Sequence, residues 1–207
     1  MAVIETYRPA LRTPSGINPK KFTLWLFLVT VTMMFAAFSS ALVVQLPDAQ
    51  ANGTWVPFNV PSAFAISTIL IVLSSASMQW AYVAAKRNEL EQNKIALLIT
   101  LLLGMGFLYS QVIGYKALMT ENVYFTGLVK AGSRMVSPIS ASFFYMITGI
   151  HALHVIGGII ILLFILIGAL RYRVHSKNLL GINLCTTYWH FIGVIWVYLF
   201  TLLNIFR

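Results

Sequence analysis

Five stretches of this chain are apolar and free of Asp, Glu, Lys and Arg. They run over residues 22–46, 61–85, 95–115, 139–170 and 182–206. A helix needs about 20 such residues to cross a bilayer, and every stretch reaches that length. No water is present in hydrocarbon to pair with backbone N–H and C=O groups, so each segment must satisfy its own. That requirement, with the lengths, predicts helices rather than strands. The chain therefore reads as an all-α polytopic membrane protein with a bundle of five transmembrane helices. Residues 1–21 form a polar, basic tail, and residues 22–207 form a single transmembrane domain. The fourth stretch is long enough to tilt or to extend into a loop. Composition agrees, because 59% of the 207 residues are hydrophobic and 9% are charged. A soluble domain of this size has no use for so much apolar surface.

The formal net charge is +9. A basic excess often points to nucleic acid, but here the bases sit in short segments between the apolar stretches. That is an orientation signal, and no nucleic-acid partner is expected. Arg8, Arg12, Lys20 and Lys21 precede the first span, Lys86, Arg87 and Lys94 follow the second, and Arg171, Arg173 and Lys177 follow the fourth. The opposite side holds Lys116, Lys130, Arg134 and Arg207. The positive-inside rule then places the N-terminus in the cytoplasm and the C-terminus outside, in a multi-pass protein of the cell inner (plasma) membrane. The first apolar stretch is too long for the core of a signal peptide, so it reads as a retained span. The third loop, from Lys116 to Arg134, reads as a solvated outer segment. A single cysteine, Cys185, excludes a disulfide within the chain and a cysteine metal cage.

The five acids, Glu5, Asp48, Glu89, Glu91 and Glu121, all fall in the tail or loops of this reading. Pumps and ion-coupled transporters carry ionisable groups at membrane depth, and this chain offers only His151, His154 and His190 there. It has no Gly-rich phosphate loop, nucleophile elbow or His-Glu-x-x-His pair. His151 and His154, three residues apart, share one side of a helix. A metal site would need His190 as a further ligand, and it is the one remaining buried-looking candidate. A b-type haem would need two histidines facing each other from different helices. The simpler reading is a neutral imidazole that donates one ring proton across a helix interface or to a lipid head group. Such a bond is worth roughly 0.5–2 kcal/mol in a membrane. No catalytic, cofactor-binding or metal-binding residue is assigned.

Small residues recur at helical spacing: Ser77, Ala81 and Ala85 on the second span, Ala37 and Ala41 on the first. Such positions allow close helix approach, and hydroxyls within Ser74–Ser77 can bond across helices. Trp25, Trp80, Tyr82, Tyr188 and Trp189 lie near the ends of the stretches, where aromatic belts form.

Two motifs are more specific. "TGIHALHVIGG", Thr148 to Gly158, resembles the Thr-Gly-x-His-x-x-His-Val-x-x-Gly signature of subunit III of haem–copper terminal oxidases. "YWHFIGVIW", Tyr188 to Trp196, resembles that family's Tyr-Trp-His-Phe-x-x-Val-x-Trp stretch. "WLFLVTVTMMF", "STILIVLSSASMQWA" and "GFLYSQVIGY" match weaker family segments in order. The resemblance covers about Phe22 to Phe206 and fits the five-helix form. That form lacks two N-terminal helices that make one wall of a lipid cleft in the seven-helix form. The chain departs from the family at Val31 and near Gly114, where a Glu is common, and at Gly193, where an Asp is common. Gln79 stands where the family often has His. A carboxylate-mediated proton role is therefore not carried over. The resemblance implies a non-catalytic subunit that packs on subunit I, with oxidase subunits I and II as partners that hold the haems and copper. It also implies bound phospholipids, a stabilising role, and contact with other respiratory complexes. On that basis Gly149, His151, His154, Tyr188, Trp189, His190 and Trp196 are structural or lipid-contact residues. A subunit-III-like accessory protein of nitric oxide reductase systems is the alternative.

Overall fold

The computed structural model describes residues 18–55, 60–120, 123, 129–131, 134–136, 139–171 and 179–206. Five helices dominate: α1 (Pro19–Ala51), α2 (Ser62–Lys86), α3 (Leu90–Thr120), α4 (Ile139–Leu170) and α5 (Leu180–Ile205). All five are long and apolar enough to cross a membrane. Even α2, with 25 residues, spans about 38 Å against about 30 Å of hydrocarbon.

α1 and α3 outrun the apolar stretches that predict them, α2 and α5 are offset by one or two residues, and α4 coincides with its stretch. α1 starts inside the expected tail and runs on to Ala51, so Asp48 lies on a helix rather than in a loop. Glu91 and Lys94 likewise belong to α3, where they form an ion pair at 2.8 Å. A helix keeps its backbone bonds satisfied at the membrane surface as well as within it, whatever the side chains. The rest of the tail, residues 1–17, and Arg173 and Lys177 lie outside the described residues.

Local sequence sets the helix ends. Asn18 caps α1 by accepting the Lys20 N–H at 3.0 Å, with Pro19 in the first turn. Pro47 has no N–H to give to the Val43 carbonyl, yet the helix continues past it. Termination comes at Gly53, which takes φ +65°. The Thr54 N–H reaches back to the Ala49 carbonyl at 2.9 Å and the Gly53 N–H to that of Gln50 at 3.2 Å. α2 ends the same way with Asn88 at φ 62°, where Glu89 and Asn88 donate to Ala84 and Ala85. Asparagine is the side chain that tolerates this left-handed position best after glycine. The tight turn folds α3 directly back along α2.

A polar ladder joins this hairpin. Asn93 Nδ2 donates to the Ala81 carbonyl at 2.8 Å, Ser77 Oγ to that of Ala96 at 2.9 Å, and Thr100 Oγ1 to Ser77 Oγ at 3.1 Å. Further along, Gln111 Nε2 donates to Ser67 Oγ at 2.8 Å and Ser110 Oγ to the Ala63 carbonyl at 2.7 Å. The Ser77, Ala81, Ala85 stripe is buried on this interface, as its spacing predicts. Ala37 and Ala41 instead face outward from α1. The reason is that α1 meets the bundle with its Leu28, Val31, Phe35 and Leu42 side.

α2 to α5 close into a ring in which each helix touches the next and α5 returns to α2. α1 lies outside it, against α4 and α5. Phe64, Phe107, Phe144, Trp189 and Trp196 fill the ring's interior. Val31 and Phe35 meet Ile147 and Leu199 where α1 is seated. The third loop adds what an all-helical reading omits, a short antiparallel pair of β1 (Val129–Ala131) and β2 (Arg134–Val136).

Gly114 faces the Phe64 ring so closely that a Cβ would overlap it, whereas a Cβ at Gly149 would meet nothing within 4 Å. Gly114→Leu should therefore destabilise the full chain by roughly 1–3 kcal/mol. Gly149→Leu should be neutral or slightly stabilising. Thermal loss of helical circular dichroism in detergent checks this, and equal melting temperatures would contradict it.

Candidate functional site

His151 stands where four helices meet. It projects from α4 and is completely buried. Its Nε2–H donates to the Ile192 carbonyl of α5 at 3.1 Å. A carbonyl can only accept, so this bond fixes the tautomer and leaves Nδ1 as a bare acceptor. That atom has no partner among the described residues. Aromatic rings surround it: Trp196 of α5 at 5.0 Å between centroids, Phe107 of α3 at 5.9 Å and Phe35 of α1 at 6.2 Å.

His154 lies on the same flank, three residues on, and also meets Phe35, at 5.7 Å. Its Nδ1–H donates to its own helix, at the Ile150 carbonyl, 2.9 Å away. Its own carbonyl accepts the Tyr188 hydroxyl of α5 at 3.0 Å. His190 is elsewhere. Contrary to its buried look in the sequence, it is half-exposed, and its Nε2–H donates to Gln79 Oε1 of α2 at 3.2 Å. The three histidines thus serve three different contacts. No group of three His, Cys, Asp or Glu side chains that could hold a metal ion occurs among the described residues.

Tyr188 and Trp189 are not belt residues, although their position suggests it. Both are buried. Trp189 donates its indole N–H to Ser74 Oγ at 3.0 Å, and its ring rests against Gly104 and Gly158. Those glycines make the room that carries the ring inward. Trp196 is buried too and donates to Thr68 Oγ1 at 2.9 Å. Trp25 and Trp80 do face outward. Gly149 is half-buried with open space before it.

Sequence reasoning missed several members of this network. Phe35 and Phe107 build the cage round His151, and nothing distinguishes them from other aromatics in an apolar stretch. Tyr115 and Thr148 bond at 3.0 Å between α3 and α4. Gln111, an amide at membrane depth, was the available signal for the α2–α3 ladder.

Val31 is buried on α1, Gly114 lies under Phe64, and a Cβ at Gly193 would meet Ser75 Oγ at 3.0 Å.

The family model for cytochrome c oxidase subunit III matches residues 10–207. The chain belongs to the cytochrome c oxidase subunit III family. A protein named "Probable cytochrome c oxidase subunit 3" from Mycobacterium tuberculosis is 30% identical over 178 residues, covering 84% of this chain and 79% of that one. Mouse cytochrome c oxidase subunit 3 is 30% identical over 198 residues, covering 91% of this chain and 70% of its own. A Rickettsia felis relative with the same name as the mycobacterial one is 29% identical over 200 residues. The protein is a subunit III of a respiratory terminal oxidase, part of a membrane-bound oxidoreductase complex, and associates with other subunits of that complex. None of these relatives supports the nitric oxide reductase alternative.

In this subunit III the His151 bond crosses between helices, whereas the His154 ring bonds within its own. His151→Phe should cost about 1–2 kcal/mol by removing the cross-helix donor. His154→Phe should stay within about 0.5 kcal/mol of the parent. Thermal unfolding of both variants in detergent measures the difference, and a reversed order would refute the assignment.

Proposed function

We propose that this chain is a non-catalytic subunit that packs on subunit I in a complex with subunits I and II, holds lipids and prolongs the working life of the oxidase. The observation that carries this is the environment of His151. This fully buried imidazole is sealed in aromatic rings and committed to a helix carbonyl. Such a group fastens helices, and the haem and copper chemistry belongs to the partner subunits. Gly149, His151, His154, Tyr188, Trp189, His190 and Trp196 are then structural or lipid-contact residues. The positive-inside count supports a cytoplasmic N-terminus and an outside C-terminus, with the chain in the cell inner membrane.

Lipid binding has a candidate place. A cleft of about 470 Å³ opens between α1, α4 and α5, lined by Leu24, Phe27, Gly157, Ile161, Cys185 and Tyr188. A smaller hollow sharing Phe27, Gly157 and Tyr188 continues it to His154. Lys20 and Lys21 lie one turn from Leu24, and Arg171 follows the end of α4. An acyl chain in the cleft with its phosphate beside these bases satisfies both surfaces.

Oxidase prepared without this chain should keep its haem absorption spectrum and initial rate but inactivate several-fold sooner during turnover. The purified chain should be colourless. A shifted haem band in the depleted enzyme, or haem on the isolated chain, would overturn the proposal.

A further inference from the structure

Most polar side chains of the spans bond within the bundle, but one group of them points out of it. A groove of about 550 Å³ runs between α2 and α5, lined by Val72, Ser75, His190, Gly193, Val194 and Tyr198. From His190 to Thr201 it follows eleven helical steps of α5, roughly 16 Å. Ser75 sits at the middle of α2 and forms no hydrogen bond among the described residues. This sets it apart from Ser67, Ser74 and Thr68, each of which bonds a carbonyl of its own helix. The Tyr198 hydroxyl forms no such bond either. His190 uses Nε2–H on Gln79 Oε1, which leaves its Nδ1 as an acceptor and the Gln79 amide N–H groups as donors.

These groups lie at membrane depth. His190 is ten residues from the start of α5, about 15 Å, and a serine at mid-helix is too short to reach head groups. Lipid tails offer them no hydrogen bonds, and a polar group left unpaired in hydrocarbon is costly. The groove floor is also suited to a close neighbour, because Gly193 presents backbone beside Ser75. Small residues with polar side chains at their edge are the features that bring membrane helices together.

We infer that this groove receives a transmembrane helix of a neighbouring oxidase subunit. That helix carries small residues opposite Gly193 and hydrogen-bonding side chains at the depth of Ser75 and His190. The inference rests on the proposed role as a packing subunit and adds the face by which it packs. A donor on the incoming helix meets His190 Nδ1, and an acceptor meets the Gln79 amide.

The test uses the intact oxidase in its own membrane. The photo-crosslinking residue p-benzoylphenylalanine is placed at Val194, which is 68% exposed beside the groove, or at Leu102, 62% exposed on α3. Irradiation should join this chain to another subunit's polypeptide at least several-fold more from position 194 than from 102. Mass spectrometry should map the adduct to a transmembrane segment. A second variant, Gly193→Leu, fills the groove and should reduce recovery of this chain with the haem-bearing subunits several-fold, while Leu102→Trp should not. Adducts from position 194 to lipid alone, to a second copy of this chain, or at the same yield as from 102 would overturn the inference and leave the packing role intact. Failure of the unaltered chain to co-purify with haem-bearing subunits would overturn both.

Discussion

Every polar group carried into the bilayer must find its partner inside protein, because hydrocarbon offers none. That constraint organises the α2–α3 hairpin. Asn93, Ser77, Thr100, Ser110 and Gln111 each give a hydrogen bond to the facing helix. Singly, such bonds average under about 1 kcal/mol in membranes. Together they fix register, since a shift along the helix axis would strand all of them at once. Ser74 and Thr68 extend the pattern to α5 by accepting the two buried indoles. Both faces of α2 are thus tied by polar contacts, which makes it the hub of the ring.

α1 is held differently. Of its described hydroxyls, Thr23, Thr30, Thr32 and Ser39 bond carbonyls of their own helix. No side-chain hydrogen bond joins it to another helix among the described residues. Its seat is apolar and aromatic: Phe35 between His151 and His154, Phe27 against Tyr188. Ring packing tolerates small sliding in a way that a hydrogen-bond ladder does not. The cleft between α1 and the α4–α5 pair lies on this softer boundary.

The spans were legible in the sequence because length and freedom from charge are one-dimensional properties. α4 has the bounds its apolar stretch gives, Ile139 to Leu170. The ends of the others were less so, since a helix can continue under polar side chains. The αL residues that stop α1 and α2, Gly53 and Asn88, were nonetheless present as local signals. At the site, the i, i+3 spacing correctly put His151 and His154 on a common flank. It gave no means of telling which faces the ring's interior. Tyr188 and Trp189 misled because interface enrichment is a statement about averages. Their burial depends on Gly104 and Gly158, one of them on α3, far away in sequence. The same holds for Ala37 and Ala41: small residues mark a surface that can be approached closely, without saying by which neighbour.

The absence of carboxylates from the apolar stretches has a further consequence for how this subunit III can act. A proton path needs groups that change charge at depth. Here Val31 lies in an apolar cluster, Gly114 beneath Phe64 and Gly193 beside Ser75. A side chain at Gly114 would require the Phe64 ring to move, and Phe64 touches Tyr115, Phe144 and Trp196. What the chain presents at these places is packed side chains and backbone, with no group that changes charge.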